Sequence, residues 1–261
     1  MAHQNLLVSR EGAYCTLTLN RPDKRNALSL DLMLELTDAL RGIGEGDALG
    51  VILAANGPVF SAGHNFADMA GATRQQVREL FSVCTTMMNT LQAIAQPVVA
   101  RVHGLATAAG CQLVASCDLA VASELAGFAI PGGKAALFCH TPLVAVARNI
   151  GRKRALEMAM TGDSIDAASA AQWGLINKVV PAAQLESATL DLLRRATRGT
   201  AHSKALGKQA YYRQIELPQE QAYAFVGDVM ADGAMDGRCA RRFSRLHGKA
   251  PGAVWQVLSA G

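Results

Sequence analysis

Val98-Val99-Ala100-Arg101-Val102-His103-Gly104-Leu105-Ala106-Thr107-Ala108-Ala109-Gly110-Cys111-Gln112-Leu113-Val114-Ala115-Ser116-Cys117-Asp118-Leu119-Ala120-Val121-Ala122 holds the alternation that decides the fold. The β-branched run at 98–102 reads as a buried strand, and Pro97 stops the helix before it. Gly104 opens a turn over 104–107, the small and apolar residues at 108–116 make a short helix, and 119–122 is a second buried strand. Strand, loop, helix and strand in close succession is the unit of an α/β fold.

Upstream the same order recurs. Residues 6–9, then Cys15, Leu17 and Leu19 alternating with Tyr14, Thr16 and Thr18, read as a hairpin joined through 10–12. A charged, proline-containing loop spans 20–28, and Ser29 is placed to N-cap a helix with Leu30, Met33, Leu34 and Leu40 facing inward. A strand at 50–54, a Gly/Ser/His loop at 56–71 and a long helix over 73–94 follow. Beyond Pro181 the pattern is helical over 184–197, 203–215 and 219–231, with an Arg/Lys-rich stretch at 238–249. The expected division is an α/β core over 1–197 and a helical region over 198–261.

Composition sets outer bounds. The chain has 261 residues, half of them apolar and 18% charged, with mean hydropathy +0.15. These values exclude disordered, collagenous and coiled-coil classes and fit a chain that buries surface in an oligomer. The net charge of +4 arises from 25 basic and 21 acidic residues. That balance excludes a dedicated nucleic-acid binder while leaving room for a local Lys/Arg pocket on a phosphorylated small molecule. Cys15, Cys84, Cys111, Cys117, Cys139 and Cys239 include no Cys-x-x-Cys pair, so neither metal nor disulfides are expected. Residues 1–12 lack the layout of a signal peptide and the uncharged run 102–117 is too short to span a bilayer, so the expectation is a cytoplasmic protein with no membrane partner.

Two loops carry the chemistry: Phe60-Ser61-Ala62-Gly63-His64-Asn65, and Gly104 through Gln112. Small side chains let a ligand approach the backbone, and the second loop runs into a helix whose first N–H groups have no intrahelical acceptor. Facing each other, the two would form an anion site. Neither reads Gly-x-Gly-x-x-Gly and no Walker motif occurs, which argues against dinucleotide and P-loop folds. Tight helix–sheet packing would account for the small residues of either loop taken alone.

Asn20-Arg21-Pro22-Asp23-Lys24-Arg25-Asn26-Ala27-Leu28-Ser29, Phe60-Ser61-Ala62-Gly63-His64, His103-Gly104 and Ala109-Gly110-Cys111-Gln112-Leu113 with Cys117-Asp118 occur in this order. The set resembles the crotonase (enoyl-CoA hydratase/isomerase) superfamily over essentially the whole chain. The resemblance implies a repeated ββα spiral core with a C-terminal helical oligomerisation region. It also implies acyl-CoA or enoyl-CoA as substrate, no permanently bound cofactor, and a homotrimer or a hexamer built as a dimer of trimers.

In this sequence the oxyanion-hole donors implied by the resemblance are the backbone N–H groups of His64 and Ala109. Backbone donors at a helix start stabilise an enolate oxyanion without protons of their own to exchange. Lys24, Arg25, Ala27 and Leu28 are expected along the CoA moiety. Ala62, Gly63, Asn65, Phe66, Leu105, Gly110, Gln112, Pro131 and Gly132 complete the implied binding set. Arg241, Arg242, Phe243 and Lys249 fall where basic residues of the family's C-terminal helices reach CoA.

The sequence departs from the family at the acid/base pair. A hydratase of this type carries one glutamate two residues after the Gly of the second loop and another directly after a later Pro. Here those positions are Gln112 and Gly132. An amide or a hydrogen atom can neither activate water nor protonate an α-carbon near neutral pH. Ser61-Ala62-Gly63-His64, the 104–118 run and Leu137-Phe138-Cys139-His140-Thr141-Pro142 are similar to the enoyl-CoA hydratase domain-containing protein 3 branch, which also lacks both glutamates. His140 has the intrinsic pKa for proton transfer, and Cys139 would be a nucleophile only with a stabilised thiolate. Asp68 is read as a helix cap, His103 as a structural hydrogen-bonder, and Cys111 and Cys117 as packing residues. Three functions follow: an acyl-CoA enzyme of the lyase or isomerase kind, a catalytically weak acyl-CoA-binding pseudoenzyme, or a structural subunit of a hetero-oligomer.

Overall fold

The computed structural model describes residues 3–237 and Cys239. Strand β1 (Leu6–Glu11) turns through Gly12, at φ +57°, into the antiparallel β2 (Tyr14–Leu19). Helix α1 (Leu30–Gly44) then leads to β3 (Gly50–Ala55), α2 (Arg74–Ala93), β4 (Val98–Val102) and the two-residue β5 (Ala106–Thr107). After α3 (Ala109–Ser116) come β6 (Leu119–Ser123), β7 (Gly127–Ala129), α4 (His140–Asn149), α5 (Arg152–Thr161), β8 (Ile165–Asp166), α6 (Ala167–Trp173) and β9 (Lys178–Val180). Helices α7 (Leu185–Ala196), α8 (Ala201–Gln214) and α9 (Gln219–Met235) complete the described chain.

The main sheet runs β1-β2-β3-β4-β6-β9, parallel from β2 onward. A second, shorter layer stacks beside it: Leu28 bridges His64, Ser61 bridges Ala106, and β5 pairs in parallel with β7. Each turn of the chain therefore places one strand in the main sheet, one short stretch in the second layer and then one helix. This is the repeated ββα spiral, and it delivers 28, 61–64, 105–107 and 127–129 side by side.

Local chemistry explains the helix starts. Ser29 Oγ accepts the Leu32 N–H, and Thr73 and Gln76 form a reciprocal capping box at α2. The inward face of α1 differs from the expected one: Leu32, Met33, Leu36, Leu40 and Ile43 are buried, while Leu30 and Leu34 are 39% and 49% exposed. At 3.6 residues per turn, Leu36 and Leu40 lie within the buried stripe, Leu30 falls beyond its edge and Leu34 lies on the opposite face. β3 is buried along nearly its whole length because helices cover both faces of the parallel sheet. Leu185 and Leu193 of α7 pack on Ile52, Val99 and Val121 on the face away from the second layer.

The chain divides into two units, Met1–Lys208 and Gln209–Gly261. Lys208 closes the first. Its ammonium, with a side chain 7% exposed, donates to Asp118 Oδ2 at 2.7 Å and to the carbonyls of Leu91 and Gln96 at 2.7 and 2.8 Å. These bonds fix the first part of α8 to the core. In the second unit, the Arg213 guanidinium lies 4.3 Å from the Phe225 ring centre.

Candidate functional site

Ser61 is the joint between the two loops. Its hydroxyl donates to the Asn26 carbonyl at 2.8 Å and accepts the Gly63 N–H at 3.3 Å. Its carbonyl accepts the Thr107 N–H at 2.9 Å. Gly63 has φ +87°, and a Cβ built there would lie 2.8 Å from Ala108 Cβ and 3.2 Å from Ala109 N. Only glycine allows this approach. Ala108 itself takes φ 51° and ψ −120°, a conformation an L-residue holds only when its surroundings impose it. The imposing contacts are its N–H bond to the Ala129 carbonyl and the turn directly into α3.

This arrangement leaves two donors over. Leu28 donates to the Gly63 carbonyl at 2.7 Å and accepts from Asn65 N at 3.2 Å, so His64 turns its own N–H to the opposite side, toward the stretch that enters α3. Ala109 is the first residue of that helix, where the N–H has no intrahelical acceptor. Neither N–H finds a hydrogen-bond acceptor among the described residues.

The 20–28 loop is locked onto this platform. Asn26, fully buried at φ 49°, donates to the carbonyls of Asn56 and Val59 at 2.7 and 3.0 Å and accepts from Arg21 N. The Ala62 N–H donates to the Arg25 carbonyl at 3.0 Å. Lys24 and Arg25 are thereby held exposed beside the His64 loop, with Ala27 half-buried and the Leu28 side chain wholly inside the core. Phe66, 63% exposed, and Leu105, 37% exposed, add apolar surface to the two loops. Asp68 accepts Leu30 N at 2.9 Å and Asn65 Nδ2 at 2.8 Å, capping α1. The His103 ring bonds the Gly57 carbonyl at 2.8 Å, which ties two loops together.

Gln112 and Gly132 stand where the resemblance implies glutamates. Gln112 lies one helical turn beyond Ala109, 6% exposed, with its Oε1 unpartnered. At Gly132 a Cβ would collide with the Leu137 carbonyl and come within 2.7 Å of Cys139 Sγ, so the backbone there is packed for glycine. Cys139 Sγ accepts the Gly132 N–H at 3.2 Å. Burial raises the Cys139 pKa, the Gly132 N–H only partly opposing it, and the sulfur stays a thiol. Burial likewise pushes Cys111 up to about 12. His140 opens α4 as an exposed residue, its Nδ1 bonded at 2.9 Å to the Phe138 carbonyl. The His64 ring packs edge-on against Phe81, centroids 5.2 Å apart, and both its nitrogens are buried. Burial lowers its pKa, while the nearby Leu28 carbonyl and Asp68 pull the other way, so the imidazole is neutral at pH 7.

Among the described residues no group of three or more His, Cys, Asp or Glu is placed to hold a metal ion, and no helix is long and apolar enough to cross a membrane. Arg241, Arg242, Phe243 and Lys249 lie outside the described residues. Ser61 and Asn26 were missed as organising residues. Both sit inside the quoted motifs, but only their side-chain bonds across the spiral reveal what they do.

The enoyl-CoA hydratase/isomerase family model matches residues 9–232. This chain belongs to that family. Its relatives include the Rattus norvegicus protein named mitochondrial enoyl-CoA hydratase domain-containing protein 3, 43% identical over 218 residues, which are 83% of this chain and 73% of the rat protein. A solved enoyl-CoA hydratase of Mycobacterium smegmatis superposes with a TM-score of 0.90 at 42% identity, covering 95% of this chain and 98% of the other. The solved human enoyl-CoA hydratase domain-containing protein 3 gives 0.89 at 36% identity, covering 95% and 100%. The crotonase fold and the branch are therefore those expected, and enzymes of this family use CoA thioesters without a permanent cofactor. The compartment is corrected. Family relatives from rat, mouse, zebrafish, human and Xenopus are each named mitochondrial, which points away from the cytoplasmic location expected from residues 1–12.

Proposed function

We propose that this family member binds an acyl-CoA thioester and polarises its carbonyl between the His64 and Ala109 N–H groups, without hydration by a carboxylate pair. The observation that carries this reading is the approach of Gly63 to Ala108 and Ala109, which leaves two unclaimed donors on adjacent stretches. Such preorganised donors act on charge that develops during reaction, and loss of one typically costs ~10²–10³ in rate. Lys24 and Arg25 provide exposed cations for the CoA phosphates, and Phe66 and Leu105 provide apolar contact. The reaction is one in which an enolate forms and the substrate's own groups move protons, as in an isomerase or lyase.

A second reading, a binding protein with little turnover, is favoured by one set of observations: Gln112 and Gly132 bear no acid, Cys139 is a thiol and His140 is exposed. Homotrimeric or hexameric assembly through the C-terminal helices belongs to the same proposal. Calorimetric titration with crotonyl-CoA, combined with a hydration assay, tests it. Binding without rapid hydration is expected. No binding of any CoA thioester defeats both readings, and rapid hydration defeats the claim about the missing carboxylates.

A further inference from the structure

A cleft of about 240 Å³ opens between the main sheet and α7, lined from β2, β3, β4, α7 and the β1–β2 turn. Arg101 stands in its floor, where an arginine is out of place. β4 lies in the middle of the sheet, and parallel strands covered on both faces read as Val, Ile and Leu. Side chains alternate along a strand, so Val98, Ala100 and Val102 face the main core while Val99 and Arg101 face α7. On that face Val99 and the cross-strand partner Val121 are wholly buried. The Arg101 side chain is 23% exposed, and its guanidinium has one polar contact among the described residues: Nη1 lies 3.4 Å from Oε1 of Glu186, itself 85% exposed. That distance exceeds the ~2.7–2.9 Å of a charged hydrogen bond. Most of the guanidinium's N–H fork is therefore unused. Arg194, about two turns along α7 from Glu186, lines the same cleft with no ion pair among the described residues. The half-buried Thr16 hydroxyl has no hydrogen-bond partner among them either, and Ile52 and Leu190 add apolar wall.

We propose that this cleft binds a small organic carboxylate, with the carboxylate seated on Arg101 and the carbon chain against Ile52 and Leu190. Occupancy does not depend on the thioester reading, because the cleft lies across the main sheet from the second layer that carries the His64 loop. The planar guanidinium matches the two oxygens of a carboxylate, and Arg194 and Thr16 offer further donors. The ligand takes the place of Glu186, whose exposed carboxylate returns to water at little cost. Charge selects a monoanion over phosphate. Glu11 and Glu186 line the cleft together with Arg101 and Arg194, so two cations meet two carboxylates and no net positive charge is left for a dianion. The volume is that of about eight waters at roughly 30 Å³ each, room for an acid of a few carbons.

Ligand-observed NMR titration of the full chain with hexanoate tests this, with hexanol and inorganic phosphate as comparison probes at the same salt concentration. The wild type is expected to bind hexanoate at least about tenfold more tightly than either. Arg101→Leu continues the apolar floor. It should weaken hexanoate at least about tenfold and leave the melting temperature equal or higher, since replacing a buried ion pair by packed apolar surface is neutral or stabilising. Glu186→Gln frees Arg101 and should tighten hexanoate about two- to fivefold. Absence of hexanoate binding, or a preference for phosphate, overturns the proposal. Unchanged hexanoate affinity in Arg101→Leu places the acid elsewhere, the thioester site included, and overturns it too. Should Arg101→Leu fail to fold, Arg194→Gln and Glu186→Gln at exposed positions decide: a loss in the first and a gain in the second are expected, and no change in either overturns the assignment.

Discussion

Ser61 is pressed directly against Gly110: a Cβ on Gly110 would lie 2.5 Å from the Ser61 carbonyl oxygen and 2.7 Å from its Cβ. The same Ser61 bonds Asn26, Gly63 and Thr107, so one contact sets the distance between the two loops that carry the donors. Gly110→Ala is expected to push the start of α3 away from Ser61, cost about 1–3 kcal/mol of stability and weaken CoA-thioester binding. Chemical denaturation alongside calorimetry measures both, and a variant with wild-type affinity would show that the loop spacing does not matter to the ligand.

Placing glutamate at position 132 is not expected to confer crotonyl-CoA hydration. Gly132→Glu drives its Cβ into the Leu137 carbonyl and crowds Cys139, and the loop must shift to admit it. Lower stability and no gain in crotonyl-CoA hydration are the expected results, alone or combined with Gln112→Glu. A double variant that hydrates efficiently at unchanged melting temperature would contradict this.

Lys208 and Asp118 form an ion pair at 2.7 Å with side chains 7% and 13% exposed. Removing the lysine takes this short ion pair from the mostly buried Asp118 carboxylate while its bond from the Val98 N–H stays, and Lys208→Met should cost about 3–5 kcal/mol. Burial lowers the Lys208 pKa while Asp118 opposes the fall. A urea titration of the variant checks the size, and a change below the error of the measurement would reduce this pair to a passive contact.

His64 gives stability a sign with pH. Its folded pKa lies below the ordinary 6.5, chiefly through burial, so on acidification the unfolded chain takes up a proton before the native one does. The His64 contribution is present above about pH 6.5 and is lost as the pH falls through the folded pKa. His64→Phe retains the backbone donor and removes the titration. Its melting temperature should fall less from about pH 7.5 to about pH 5 than that of the wild type. Parallel pH profiles for the two proteins would count against a buried neutral imidazole.

Much of this was determined by the sequence alone, because the signals concerned are local. Alternating and β-branched runs place the strands, Ser29 and Thr73 cap their helices through groups three residues away, and the ordered motif blocks identify the spiral. Periodicity and capping depend on neighbours along the chain, so they can be read from it. The exposure of Leu30 and Leu34, the close packing at Gly132, the burial of the His64 ring and the tie from Lys208 to Asp118 depend on segments distant in sequence. Only the tertiary structure decided them, since desolvation and steric exclusion are set by whatever the fold brings alongside, and no residue carries that in its own identity.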